Sequence, residues 1–109
     1  MAPTVWYHVR DLEEGRRFYR ELLGFEELAV DFAARWSNLK RGEMEIGLAE
    51  GEPGGDGVAH VEVDDLKHEA DRLREAGVEV GIVLELTGEM RLLDVYDPDG
   101  NRIQLAQEL

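Results

Sequence analysis

Cysteine is absent from the 109 residues, serine occurs once, at position 37, and lysine only twice. Without cysteine there is no disulfide scaffold and no thiol nucleophile, which suits a reducing cytoplasm. Ser37 has no base beside it in the sequence, and neither a Gly-x-Ser-x-Gly elbow nor a glycine-rich phosphate loop occurs. No run of 18 apolar residues is present, so no segment is suited to span a membrane as a helix. Met1-Ala2-Pro3-Thr4 lacks the basic stretch and apolar run of a secretory signal, and a cytoplasmic location is expected. Bases are scarce: 12 against 25 acids, a net charge of −13. Such a field repels phosphate backbones, so nucleic acid is not an expected partner. It keeps the surface soluble and favours cationic ligands over anionic ones.

What the chain does have is a copy of itself. Val5-Trp6-Tyr7-His8-Val9-Arg10-Asp11-Leu12 and Ala59-His60-Val61-Glu62-Val63-Asp64-Asp65-Leu66 both read as a strand ending in Val-x-Asp-Leu, 54 residues apart. In each copy the last aspartate caps a helix. Asp11, with Glu14 in a capping-box-like position, opens a helix over 11–23 with Leu12, Phe18, Tyr19, Leu22 and Leu23 on its apolar face; Asp65 opens one over 65–76. Gly24 and Gly77 supply the left-handed stops. The period then turns from helical to alternating. Residues 25–32, 35–40 and 44–49 predict three strands, and 78–86, 90–96 and 102–106 predict three more. Asp97-Pro98-Asp99-Gly100-Asn101 is a tight turn, and the glycine-rich stretch 51–56 is a linker. The expected architecture is α+β: one domain over 1–109, built from βαβββ modules at 1–50 and 57–109. A module of this size is marginal alone, so the two must pack together, and bare sheet edges favour a homodimer.

Val9-Arg10-Asp11-Leu12, then Phe18-Tyr19-Arg20-Glu21-Leu22-Leu23-Gly24-Phe25, then Asp97-Pro98-Asp99-Gly100-Asn101-Arg102-Ile103-Gln104-Leu105 together resemble the vicinal oxygen chelate superfamily, which holds glyoxalases, bleomycin-resistance proteins and extradiol dioxygenases. The resemblance spans nearly the whole chain. It implies paired modules whose mixed sheets curl around a shared cleft, commonly in a homodimer. It also implies four metal-ligating positions, which fall here on Thr4, Gly47, Val58 and Gln104. Only Gln104 carries a useful donor, so no metal and no other cofactor is expected. His8 and His60 lie four and two residues beyond the first-strand positions, roughly 13 and 7 Å along their strands at ~3.3 Å per residue, too far to share one ion with them.

Alternation, anchored on those positions, gives a cleft lining of Trp6, His8, Trp36, Asn38, His60, Glu62, Leu92, Asp94, Arg102 and Gln104. Trp6 and Trp36 fit a packed core as well as a cleft wall. Glu62 and Asp94 fit a solvated rim, or ion pairs with Arg91 or Arg102. The function implied is metal-free binding of a small organic molecule, aromatic or cationic, in the manner of antibiotic sequestration in a dimer cleft. The alternative is a glyoxalase-like lyase or isomerase, or a dioxygenase-type enzyme, with a displaced or degenerate metal site and His8 or His60 as acid–base. The chain departs from bleomycin-resistance proteins in being shorter and in lacking a Pro-Trp-Gly-like signal at Gly88-Glu89-Met90-Arg91.

Overall fold

The computed structural model describes residues 5–109, so the expectation for Thr4 lies outside it. Strand β1 (Val5–Val9) buries Tyr7 and Val9 and turns Trp6 and His8 the other way, as a period of two requires. Helix α1 (Leu12–Arg17) follows, then β2 (Glu26–Asp31), β3 (Trp36–Arg41) and β4 (Met44–Glu50). The second module repeats the plan with β5 (Ala59–Glu62), α2 (Leu66–Glu75), β6 (Glu79–Val80), β7 (Leu84–Leu86), β8 (Met90–Tyr96) and β9 (Arg102–Glu108). The sheet orders are β1-β4-β3-β2 and β5-β9-β8-β6, with β7 also pairing β8. In each module the first strand runs parallel to the last and the remaining pairs are antiparallel, so the fold is α+β with two mixed sheets.

Two elements differ from their sequence expectation. The first helix is α-helical only to Arg17. It continues as a π-helical turn over Phe18–Leu22, closed by the Leu23 N–H on the Phe18 carbonyl at 3.2 Å. The wider turn lets the adjacent Phe18 and Tyr19 both enter the core, where their rings meet edge to face at 5.2 Å. The strand expected over 78–86 is interrupted at Gly81, whose N–H still reaches the Asp94 carbonyl, and Ile82 beyond it is 75% exposed. A glycine inside a strand marks such a break.

Both helices begin on their expected aspartates. The Asp11 carboxylate accepts the Glu13 and Glu14 N–H groups, and Asp65 accepts that of His68. Glu14 does not complete a capping box among the described residues. The free N–H of Leu12 is taken by Glu50 at the end of β4 (2.9 Å), and the Leu66 N–H by Gln107 near the end of β9 (3.0 Å). The repeat thus extends to a cap supplied by the last strand of each module. Gly24 (φ 70°) and Gly77 (φ 82°) end the helices in the left-handed region.

One apolar cluster joins both modules, and a buried polar seam runs through it. Tyr7 and Tyr19 stack at 5.9 Å. The Tyr7 hydroxyl donates to the Arg102 carbonyl and accepts the Ala59 N–H at 2.8 Å, while Tyr19 donates to Asp97 at 2.8 Å. Asn101 Nδ2 donates to the His8 carbonyl. Burial pushes the Tyr7 phenol up to about 12 and that of Tyr19 well above the usual tyrosine range, with Asp97 adding to both. A phenol that holds its proton more tightly folded than unfolded contributes stability in full below pH ~10, and that stability is lost as pH rises from 10 through 12. Each tenfold gain in proton affinity on folding is worth about 1.4 kcal/mol, so denaturant melts should lose about 2–3 kcal/mol across that window from Tyr7 alone. Tyr7→Phe should be weaker at neutral pH but fall less steeply above pH ~10. An identical alkaline slope in Tyr7→Phe and the unaltered chain would contradict this assignment.

Candidate functional site

The sheet faces turned away from the helices carry all ten residues of the expected lining, four on the first sheet and six on the second. Strand register arranges them in rows. On the first sheet Trp6, Gly47 and Asn38 stand side by side on β1, β4 and β3; one step along, His8, Ala49 and Trp36 do the same. On the second, His60, Gln104 and Asp94 form the matching row on β5, β9 and β8, and Glu62, Ala106 and Leu92 the next. The repeat therefore puts Trp6 where the second module has His60, and Asn38 where it has Asp94.

Neither tryptophan belongs to the core. Trp36 is half-buried and Trp6 is 45% exposed. The Trp6 indole lies flat over Gly47: a Cβ on that glycine would stand 2.6 Å or less from the indole carbons Cε3, Cδ2 and Cζ3. Gly47 is buried because the ring covers it. The glycine is thus a floor for an aromatic ring, and the position where the superfamily sets a metal ligand is filled by that ring. On the other sheet Asp94 is held by Arg102 Nε at 3.2 Å and Gln104 Nε2 at 3.3 Å. That resolves the open choice for Asp94 in favour of Arg102, while Arg91 pairs with Glu85. Val58 carries no donor, and Gln104, whose Nε2 donates to Asp94, offers one ligating oxygen, Oε1, where an ion needs about three protein ligands. Among the described residues no group of three His, Cys, Asp or Glu side chains converges on a point where an ion would sit. These residues do not fit a divalent metal.

The rows are open surface rather than one enclosed pocket. A groove of about 690 Å³ lies between the β3–β4 turn and the far half of the second sheet, and of the ten expected residues only His60 and Glu62 line it. Its other walls include Met90 and Glu108, which alternation places on the same face as Leu92 and Gln104, and Glu43, Met44 and Asp64, which no strand pattern marks. A turn reaching across to another module leaves no periodic signal. A glycine in mid-strand was the only mark of the Trp6–Gly47 contact.

Two charged clusters belong to the fold, on the helix side. Glu27 Oε2 lies 2.7 Å from the Ser37 hydroxyl and 2.6 Å from Arg16 Nε, so Ser37 does have a carboxylate beside it, contrary to its sequence neighbourhood. The hydrogen bonds from Arg16 hold the Glu27 carboxyl below its usual range, against its burial. A carboxylate so committed is a poor base, and Ser37 is fully buried. Burial alone would raise Glu69, but Arg41 and Arg72 outweigh it and hold that carboxyl low.

A family model described as the Glyoxalase/Bleomycin resistance protein/Dioxygenase superfamily matches residues 3–105. The virulence protein STM3117 of Salmonella typhimurium is 30% identical over 112 residues, covering 91% of this chain and 78% of that protein. The structure of TnmS3, an antibiotic binding protein from Streptomyces sp. CB03234, aligns with a TM-score of 0.78 at 27% identity over 100% of this chain and 97% of that one. The fosfomycin resistance protein FosX from Listeria monocytogenes, complexed with Mn(II) and sulfate ion, aligns with a TM-score of 0.80 at 17% identity over 100% and 90%, a likeness of fold alone.

Proposed function

The chain belongs to the glyoxalase/bleomycin resistance protein/dioxygenase superfamily, and we propose that it serves there as a metal-free binder of small organic molecules. The observation that carries this reading is the Trp6 indole lying over Gly47, because it puts a stacking surface where a metal ligand would stand. One ring face rests on backbone and the other is open, as a flat aromatic ligand requires. His8, Trp36 and Asn38 surround it on the same sheet face. The likeness to an antibiotic binding protein supports sequestration of an antibiotic as the form this binding takes. The protein acts in the cytoplasm on this reading, and no helix among the described residues is long and apolar enough to cross a membrane.

The binding unit on this reading is a homodimer. Leu84 (50% exposed) and Leu86 (47%) on the short edge strand β7, with Ile82 (75%) just before it, leave apolar surface that a second copy would cover. A second reading, an enzyme of lyase or isomerase type with a degenerate metal site, has His60 beside Gln104 and Asp94 in its favour. Against it, Asp94 is already paired through Oδ1 with Arg102 and Gln104, which compete with a histidine for that carboxylate.

One experiment tests the binding reading. Planar aromatic compounds, neutral and cationic, are titrated against the intrinsic fluorescence and the melting temperature of the purified chain, whose metal content and sedimentation are measured alongside. A ligand present at 100 times its Kd should add about 2.7 kcal/mol of stability. Quenching should vanish in Trp6→Ala, with no stoichiometric metal and a sedimenting mass of two chains. Stoichiometric metal lost on Gln104→Ala, or ring binding indifferent to Trp6, would end this reading.

A further inference from the structure

We infer that the groove between the β3–β4 turn and the second sheet is a binding site for a small organic cation with an apolar body, such as an alkyl- or arylamine. The inference rests on the small-molecule-binding reading above but not on Trp6. Three observations carry it. The groove, at about 690 Å³, falls within the range of roughly 300–1,000 Å³ that suits a drug-sized ligand. Its floor is apolar and adaptable: Met44 reaches in from the first module and Met90 from the second, beside Val63 and Ala106. Thioether side chains mould themselves to varied shapes. Finally, the Asp, Glu, Arg and Lys side chains in its wall that join no ion pair among the described residues are all acids.

Glu43, Glu62, Asp64 and Glu108 all line the groove, and none joins an ion pair among the described residues. Arg41 is the only arginine or lysine in the wall, and it is spent elsewhere, donating to the Leu23 carbonyl at 2.8 Å and pairing with Glu69. A concave surface with fixed charges of one sign focuses its field on whatever enters. A cation completes this groove and an anion is repelled. The same charges argue against a second copy as the occupant across a twofold axis, since a self-complementary contact would set these carboxylates against themselves.

The test uses the full chain and a matched pair of probes, 4-phenylbutylamine and 4-phenylbutanoate, which differ in charge but share one apolar body. Binding is read by calorimetry at pH 7 and low salt. The amine should bind and the carboxylate should not. The isosteric double substitution Glu62→Gln/Glu108→Gln should weaken the amine at least about tenfold, as expected for loss of charge-assisted contacts. The control Glu52→Gln/Glu75→Gln changes net charge equally, at exposed sites outside the groove, and should leave affinity within about twofold. Equal weakening in both doubles, equal binding of the two probes, or no binding of the amine would each overturn the inference. So would amine binding seen only after a dimer dissociates, because a second copy would then fill the groove. Trp6→Ala separates the two sites. Amine binding that survives while planar-ring quenching was never seen leaves this groove standing and removes the stacking reading; the reverse removes the groove alone.

Discussion

Replacing Asp97 with alanine is expected to cost about 4 kcal/mol or more of folding stability, among the largest losses available to a single substitution here. The Asp97 carboxylate is 5% exposed and accepts four hydrogen bonds: from Tyr19 Oη (2.8 Å), the Asp99 N–H, the Asn101 N–H and Asn101 Nδ2 (2.9 Å each). Three of these donors belong to the turn between β8 and β9, and the fourth, from Tyr19, comes from the first module. Alanine removes the acceptor of all four; the Tyr19 hydroxyl and the Asn101 N–H are buried there, and each unmatched group costs about 1–3 kcal/mol where water does not reach it. For a chain of this size about 4 kcal/mol lowers the melting temperature by roughly 16 °C or more. Asp97→Asn keeps one carbonyl acceptor and should lose less than alanine. Thermal and denaturant melts by circular dichroism measure both. A loss under about 1 kcal/mol in Asp97→Ala would mean that water replaces the carboxylate and that the seam between modules is not what holds them together.

Gly47→Ala should be the most damaging change of its size on the open sheet face, because the added methyl falls inside the space of the Trp6 ring. Overfilling of this kind costs about 1–3 kcal/mol when the neighbour has nowhere to go. Trp6 is half exposed and does have somewhere to go. The expected outcome is therefore a modest loss of stability together with an indole swung off its floor. In a Trp36→Phe background, which leaves Trp6 as the sole tryptophan, emission excited at the indole band should shift to the red and ring binding should weaken about tenfold or more, roughly 1.4 kcal/mol. Trp6→Ala should abolish most of the stability cost of Gly47→Ala, with a coupling of about 1 kcal/mol or more. Additive effects would show that the two residues do not act as one surface.

The order of elements was legible because it rests on periodicity and punctuation. Val-x-Asp-Leu twice, Gly24 and Gly77 as helix stops, and the Asp97–Asn101 turn are local signals, decided by backbone sterics within a few residues. The outward direction of the ten lining residues was legible for the same reason, since alternation on a strand leaves only two faces. The split of the strand at Gly81 and the π-helical turn at Phe18 were not. Each answers a packing demand from another element: the Asp94 carbonyl on β8 in one case, the burial of both Phe18 and Tyr19 in the other.

By itself, then, the sequence determined a doubled βαβββ chain, its caps and turns, its acidic field, and the loss of donors at Gly47 and Val58. Only the tertiary structure decided that an indole takes the place over Gly47, that Asp94 is committed to Arg102 and Gln104, and that Tyr7, Tyr19, Asp97 and Asn101 lock the modules together within one chain. It also decided that the unpaired acids gather beside Met44 and Met90. The reason is one of range. Periodicity reports which face a side chain takes, whereas partners 41 to 95 residues apart, such as Trp6 and Gly47 or Tyr7 and Arg102, meet only once strand register and the packing of the two sheets are set.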